Sequence, residues 1–367
     1  MRTQLCEAFG IEYPIFAFTP SEHVAAAVSR AGGLGVLGCV RFNDAEELDK
    51  VLDWMDENTD GKPYGVDVVM PMKVPTEGTS TDLSSYIPDE HKKFVDETLL
   101  KLGIPPLPEG EGREGVLGWL HSMARSHVDV ALKHRPVLIA NALGTPPTDV
   151  IEQCHAAGLQ VAALAGAPSH AVSHVANGVD IIVAQGYEAG GHTGEIASMV
   201  LTPDIVDAVG PNVPVLGAGG IGSGRQIAAS LALGAQGVWT GSIWLSTEEY
   251  QQLNSHAGWV EAFQKATSSD TVRTRIYTGK PARLLKSKWT EAWNEDDAPT
   301  PLPMPLQNLL VAEAHSRINA AGDPEVVSMP VGQIVGRMNE VRPVAEVMAD
   351  LIDGFNDAVK RIQEIAG

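Results

Sequence analysis

Apolar positions along this chain alternate between two rhythms. Eight short runs are apolar and rich in β-branched residues: YPIFAF (13–18), GVLGC (35–39), YGVDVVM (64–70), PVLIANA (136–142), QVAALAG (160–166), VDIIVAQG (179–186), VPVLGAGG (213–220) and GVWTGS (237–242). Between most of them lie amphipathic stretches such as SEHVAAAVSRAGG, DAEELDKVLDWMDENTDG, PTDVIEQCHAAG, SHAVSHVANG, TPDIVDAVG and GRQIAASLALG. Their starts carry Ser, Asp or Pro and their ends carry Gly, which is the chemistry of helix caps. Short strands alternating with helices imply βαβ units and a parallel sheet. Eight such units predict an α/β fold of the closed (β/α)8 TIM-barrel type.

The rhythm breaks twice. Residues 71–135 exceed one crossover and hold the Pro/Gly/Glu-rich GIPPLPEGEGREG between the helical patterns PDEHKKFVDETLLKLG and VLGWLHSMARSHVDVALKH. They are expected to form a helical insertion after strand three that includes the third barrel helix. The tail carries STEEYQQLNSHAGWVEAFQKA, then TGKPARLLKSKW, a Pro-rich linker DDAPTPLPMPLQ, and helical patterns near 306–321 and 340–365. The expected division is a barrel over 1–280 and a C-terminal helical segment over 281–367 that packs on it.

Charge narrows the partners. A formal net charge of −20 argues against nucleic acid and against anionic membrane, both of which call for basic surface. An anionic small substrate would have to be held by local cations or backbone N–H groups. The three cysteines (Cys6, Cys39, Cys154) form no CxxC pair and no zinc spacing, so buried free thiols are expected and no metal site. The stretch MRTQLCEAFGIEYP lacks the apolar core of a signal peptide, and no segment approaches the roughly 18 apolar residues of a membrane span. A cytoplasmic protein is expected, with a homo-oligomer left open.

Barrel active sites lie on the loops after the strands' C-terminal ends, and the glycine clusters fall there. After strand seven comes GAGGIGSGRQIAA (217–229), running from Gly217 and Ala218 through Gly219 and Gly220 into a helix. Bare backbone N–H groups at a helix start bind phosphate. Strand eight ends in a second donor-rich turn, Thr240-Gly241-Ser242. The glycines also match GxGxxG, but a dinucleotide fingerprint should open its βαβ unit and carry an acid about 20 residues on. Here six βα units precede the loop and Ser242 stands in the acid's place. Plain turn glycines are the remaining alternative. The loop after strand six is AQGYEAGGHTGE (184–195), with His192 between Gly190-Gly191 and Thr193-Gly194. Glycines on both sides leave the ring little shielding, which favours catalysis over a structural role. Glu188 in the same turn is expected to satisfy backbone donors. Lys73 and His23 are further polar candidates at the mouth.

AQGYEAGGHTG, the loop GAGGIGSGRQIAASLALGAQGVWTGS and TGKPARLL resemble the nitronate monooxygenase family, long called 2-nitropropane dioxygenases. FGIEYPIFAF, AGGLGVLG and KPYGVDVVMP extend the resemblance over most of the barrel. It implies an FMN-dependent TIM barrel that oxidises alkyl nitronates, or a related anion, with O2. The FMN phosphate would rest on Gly219, Gly220, Thr240 and Gly241, while Gln185, Gly190 and Gly191 would approach the ring or ribityl chain. His192 matches the family's catalytic base or substrate-orienting group, and a near-neutral pKa would let it take an α-proton or hold the nitronate charge as imidazolium. Two departures bear on the substrate. Asp67 stands where the family usually places an Asn that faces the flavin. The first loop, with Ala17, Phe18 and Thr19 in AFTPSEH, differs from the family's usual APM. On the same barrel, the alternatives are an FMN-dependent NAD(P)H:quinone or enoyl reductase and an acyl-thioester dehydrogenase. A flavin-free sugar-phosphate isomerase or lyase is a third class.

Overall fold

A computed structural model describes residues 1–70, 83–107, 121–253 and 257–367. The insertion's Pro/Gly-rich segment lies largely outside these residues, and Lys73 does too. Each of the eight apolar runs forms a strand: β1 (Ile15–Thr19), β2 (Leu34–Gly38), β3 (Tyr64–Val68), β4 (Leu138–Asn141), β5 (Gln160–Ala165), β6 (Ile181–Gln185), β8 (Val215–Ala218) and β9 (Gly237–Thr240). They close in the order β1-β2-β3-β4-β5-β6-β8-β9, and β9 returns to pair in parallel with β1 through Phe16 and Trp239. One short strand, β7 (Gly191–His192), stands outside the barrel. With β10 (Thr271–Thr274) and β11 (Ala282–Leu285) it forms a small antiparallel sheet in the order β10-β11-β7.

The helices follow the cap chemistry. After α1 (Gln4–Phe9), α2 (Glu22–Arg30) starts at Ser21, whose hydroxyl accepts from Val24 N at 3.3 Å. Next, α3 (Ala45–Asn58) starts at Asp44, which accepts from Glu47 N at 2.7 Å. The insertion carries α4 (Asp89–Lys101) and α5 (His121–Ala131), the latter packed on α3 and β3 in the place of the third barrel helix. The series continues with α6 (Thr148–Ala156), α7 (Pro168–Ala176), α8 (Ser198–Val209) and α9 (Gly224–Ala232). Pro203 suggests a helix start near 202, yet α8 begins at Ser198 and carries Pro203 inside it. Glu188 accounts for the earlier start, because its carboxylate accepts from Ser198 N at 3.0 Å and from Ser198 Oγ at 2.6 Å. This caps the positive end of the helix, as the turn's expected role for Glu188 requires.

Beyond the barrel strands come α10 (Glu248–Leu253), α11 (Ala257–Lys265), α12 (Lys288–Ala292), α13 (Leu306–Ala321) and α14 (Val344–Ala366). Although it ends the chain, α14 packs against both α9 and α2 and so occupies the eighth position of the outer helix ring. Gly224 of α9 makes this possible, since a Cβ there would overlap the backbone of Gly354 and Phe355. β10 and β11, hydrogen-bonded neighbours, lie on either side of residue 280. Inside the barrel, Phe16, Leu34, Val36, Leu138, Ile181, Val183 and Leu216 fill the lower layers. The N-terminal opening is plugged by Leu5, Cys6 and Phe9 of α1, with Phe9 edge-on to Phe16 at 5.4 Å.

Candidate active site

Strand periodicity decides which predicted residues can face a ligand. Phe16, Val36 and Trp239 point inward, so Phe18, Gly38 and Asp67 do too, while Ala17, Thr19, Val238 and Thr240 point outward to the helices. Most inward positions at the strands' C-terminal ends are small or polar (Gly38, Asp67, Ala140, Gln185 and Ala218), beside the apolar Phe18 and Leu164. The lower layers are bulky, so the barrel presents a shallow floor at its mouth. Phe18 lies along this floor, stacked on Trp239 at 6.3 Å, and its ring would meet a Cβ on Gly38 at 2.9 Å. Thr19 uses its hydroxyl to accept from Ser21 N at 3.1 Å. Thr240 donates to Phe16 O at 3.1 Å and accepts from the Trp244 indole at 3.0 Å. Only the backbone of Thr240 is left for a ligand.

His192 is less loosely held than its glycine neighbours suggest. Gly191 adopts φ +72°, a left-handed conformation that side chains resist, and this turns the chain into β7. There His192 pairs with Ala282 and Gly191 with Arg283 of β11. Thr278 Oγ1, fully buried, lies 2.6 Å from His192 Nε2. Burial pushes the ring's pKa down to about 4, and the charge of Lys280 pushes the same way. The near-neutral value expected from sequence is therefore corrected. Desolvation disfavours the imidazolium, and at pH 7 the ring is a neutral base.

On the other side of that sheet, the Arg283 and Arg273 guanidinium groups lie over the Tyr187 ring at 4.5 and 5.6 Å. Arg283 also donates to Tyr187 O at 3.0 Å, which ties the loop after β6 to β11.

The glycines divide by function. Gly190 is small because a Cβ would lie 2.7 Å from Gly332 N, and Gly217 because a Cβ would overlap the Ser230 hydroxyl of α9. Gly219 and Gly220 adopt φ +94° and +70°, and a Cβ on Gly241 would meet Phe18 only at an ordinary 3.8 Å contact. The N–H groups of Gly219, Gly220 and Gly241 have no acceptor among the described residues. The Ser242 hydroxyl accepts from Gly332 N at 2.8 Å, drawing the Val331–Gly332 segment against the mouth. His23 packs edge-on against Trp54 at 4.6 Å.

Thr278, Lys280 and Gly332 are the residues that local sequence logic missed. All three reach the mouth through long-range pairing; the TGKPARLL stretch contains Thr278 and Lys280, and nothing in the sequence flagged Gly332.

A closed parallel barrel with a neutral histidine and uncommitted N–H groups at its C-terminal mouth defines an enzyme of (β/α)8 type. A family model described as nitronate monooxygenase matches residues 2–354, and the chain belongs to that family. It is thereby a flavin-dependent oxidoreductase. It is 49% identical to a protein of Mycobacterium tuberculosis named as a monooxygenase, over 99% of both chains. It is 27% identical to one of Staphylococcus aureus named as a nitronate monooxygenase, over 98% of this chain and 99% of that one. Among solved structures, a nitroalkane oxidase from Streptomyces ansochromogenes aligns with TM-score 0.78 and 26% identity, over 98% and 99% of the two chains. FabK from Thermotoga maritima aligns with TM-score 0.73 and 26% identity, over 100% and 99%. The mouth fits a flavin in three respects: a floor of mostly small residues beside Phe18, uncommitted N–H donors next to it, and the buried Asp67 Oδ2, which has no hydrogen-bond partner among the described residues. No helix among the described residues is long and apolar enough to cross a membrane.

Proposed function

We propose that this protein is an FMN-dependent nitronate monooxygenase that oxidises alkyl nitronates with O2. His192 serves as the base toward a neutral nitroalkane and as the orienting group toward the nitronate. The observation that carries this reading is the setting of His192, at the mouth, paired with β11 and 2.6 Å from Thr278 Oγ1, where burial pushes its pKa down to about 4. A neutral imidazole can accept an α-proton at pH 7, and anchoring it lowers the entropy lost on reaching the reactive geometry. Lys280, exposed and without an ion pair among the described residues, supplies the local cation that an anionic substrate needs on a chain of net charge −20.

FMN, when bound, accepts the substrate's electrons and passes them to O2. Its phosphate would be held by the N–H groups of Gly219, Gly220 and Gly241, which lie at the ends of β8 and β9 where barrels of this type hold phosphate. Gln185, Phe18, Gly38 and Ala218 would form the floor under the ring. Excluding water from this floor keeps the His192 pKa low and the base form populated.

Purified protein reconstituted with FMN should consume O2 on addition of propionate 3-nitronate and should not be rapidly reduced by NADPH without oxygen. Rapid bleaching by NADPH with no nitronate turnover would establish the quinone or enoyl reductase instead. A protein that takes up no FMN colour would favour the sugar-phosphate class.

A further inference from the structure

Asp67 is a carboxyl group in a place that gives a carboxylate nothing. It points inward at the C-terminal end of β3, 2% exposed, and Oδ2 has no hydrogen-bond donor among the described residues. The groups facing it can be followed element by element. On the β2 side it pairs with Gly38, and the next residue, Cys39, has a thiol pushed up chiefly by burial, so it stays protonated. Arg41, in the same turn, is drawn off to Glu22 at 2.6 Å and lies over the Phe42 ring at 4.1 Å. On the β4 side the partner is Ala140, and the polar group that follows, Asn141, commits its amide to Met70 and Gly144. None of these described groups balances a negative charge, and burial alone holds the Asp67 pKa well above the usual carboxylate range.

We infer that Asp67 works as the uncharged carboxylic acid, keeping the floor of the flavin site neutral, and that its ionisation selectively weakens the hold on the reduced, electron-rich cofactor. A neutral acid offers one carbonyl and one O–H donor, as an amide offers one carbonyl and N–H donors, so it can stand where an amide would serve. On ionisation the proton would pass to hydroxide, leaving a poorly screened anion in the floor of the flavin site. Between unit charges a few ångströms apart in such surroundings, repulsion would be on the order of tenfold or more in relative affinity. The inference rests on a flavin occupying the mouth, but the protonation state does not.

Two measurements separate these parts. Carboxyl carbon resonances of aspartate-labelled protein, compared with Asp67→Asn to assign residue 67, should show a protonated carboxyl at pH 7. Infrared spectra of the wild-type protein give the same reading, should the variant fold poorly, as a protonated-carboxyl band lost at high pH. An ionised Asp67 at pH 7 would overturn the inference even if the protein holds no flavin. For the flavin-loaded protein, the reduction potentials of wild type and Asp67→Asn should agree at pH 7. Above the carboxyl's titration the wild type should fall at least tenfold in relative affinity for the reduced form, about 30 mV for a two-electron couple. Parallel potentials through that titration, or a tenfold difference already present at pH 7, would refute the electrostatic role.

Discussion

The pKa of His192 can be read through catalysis. An ordinary histidine titrates at 6.5, whereas His192 is pushed down to about 4. That displacement of roughly 2.5 units corresponds to about 3 kcal/mol favouring the neutral ring. At pH 5 an unperturbed histidine keeps only about 3% of its base form, while one at 4 keeps about 90%. The pH dependence of kcat/KM reports the free enzyme. For a nitroalkane that stays neutral over this range, kcat/KM should therefore fall less than about twofold between pH 8 and pH 5, against about thirtyfold for an unshifted base. Steady-state oxygen uptake at low substrate measures it, and the imidazole C–H proton resonances of His192 provide an independent titration. His192→Ala should lose at least about 100-fold with this substrate and retain bound FMN, within the range for acid–base catalysis. An acid limb centred near 6.5 would refute the desolvation argument, and turnover unchanged by His192→Ala would make the ring structural.

Two further outcomes test the mouth's construction. Gly190→Ala should destabilise the protein by about 1–3 kcal/mol in denaturant unfolding, because the new Cβ meets the Val331–Gly332 backbone at 2.7 Å. Gly241→Ala, with 3.8 Å of clearance, should change stability by less than about 0.5 kcal/mol, and equal effects would contradict the packing assignment. Lys280→Ala should raise KM for a nitronate by about fivefold at low salt and leave KM for a neutral nitroalkane nearly unchanged, with the difference fading as salt rises. Equal changes for both substrates would remove Lys280 from substrate attraction.

The barrel was legible because its information is local. Runs such as VDIIVAQG are short, β-branched and bounded by glycine, which marks a buried parallel strand, and Ser21 and Asp44 announce the helices that follow. The placement of His192 and of the Gly219–Gly220 loop at the mouth follows from strand order alone, since a parallel barrel puts every loop that follows a strand at the same end. The alternation that turns Phe18 and Asp67 inward is likewise written in the period of a strand.

The finer assignments depend on residues far apart in the chain. β7 is two residues long and exists only because Ala282 and Arg283 pair with it from about 90 residues away. No local pattern distinguishes Gly190 and Gly217, which yield to neighbouring protein atoms, from Gly241, which has room for a Cβ beside Phe18. α14 reads as a tail in sequence, and its seat between α9 and α2 is set by the meeting of Gly224 with Gly354. The proton state of the site is also a tertiary property. The same histidine and aspartate in water would be partly charged and fully charged at neutral pH, and the surrounding protein, by excluding solvent, shifts both toward their neutral forms. Sequence alone therefore determined the barrel and the address of its site, through periods and caps that act within a few residues. Tertiary structure decided which backbone stays open to a ligand and which groups carry charge, because packing and desolvation arise only when distant segments meet.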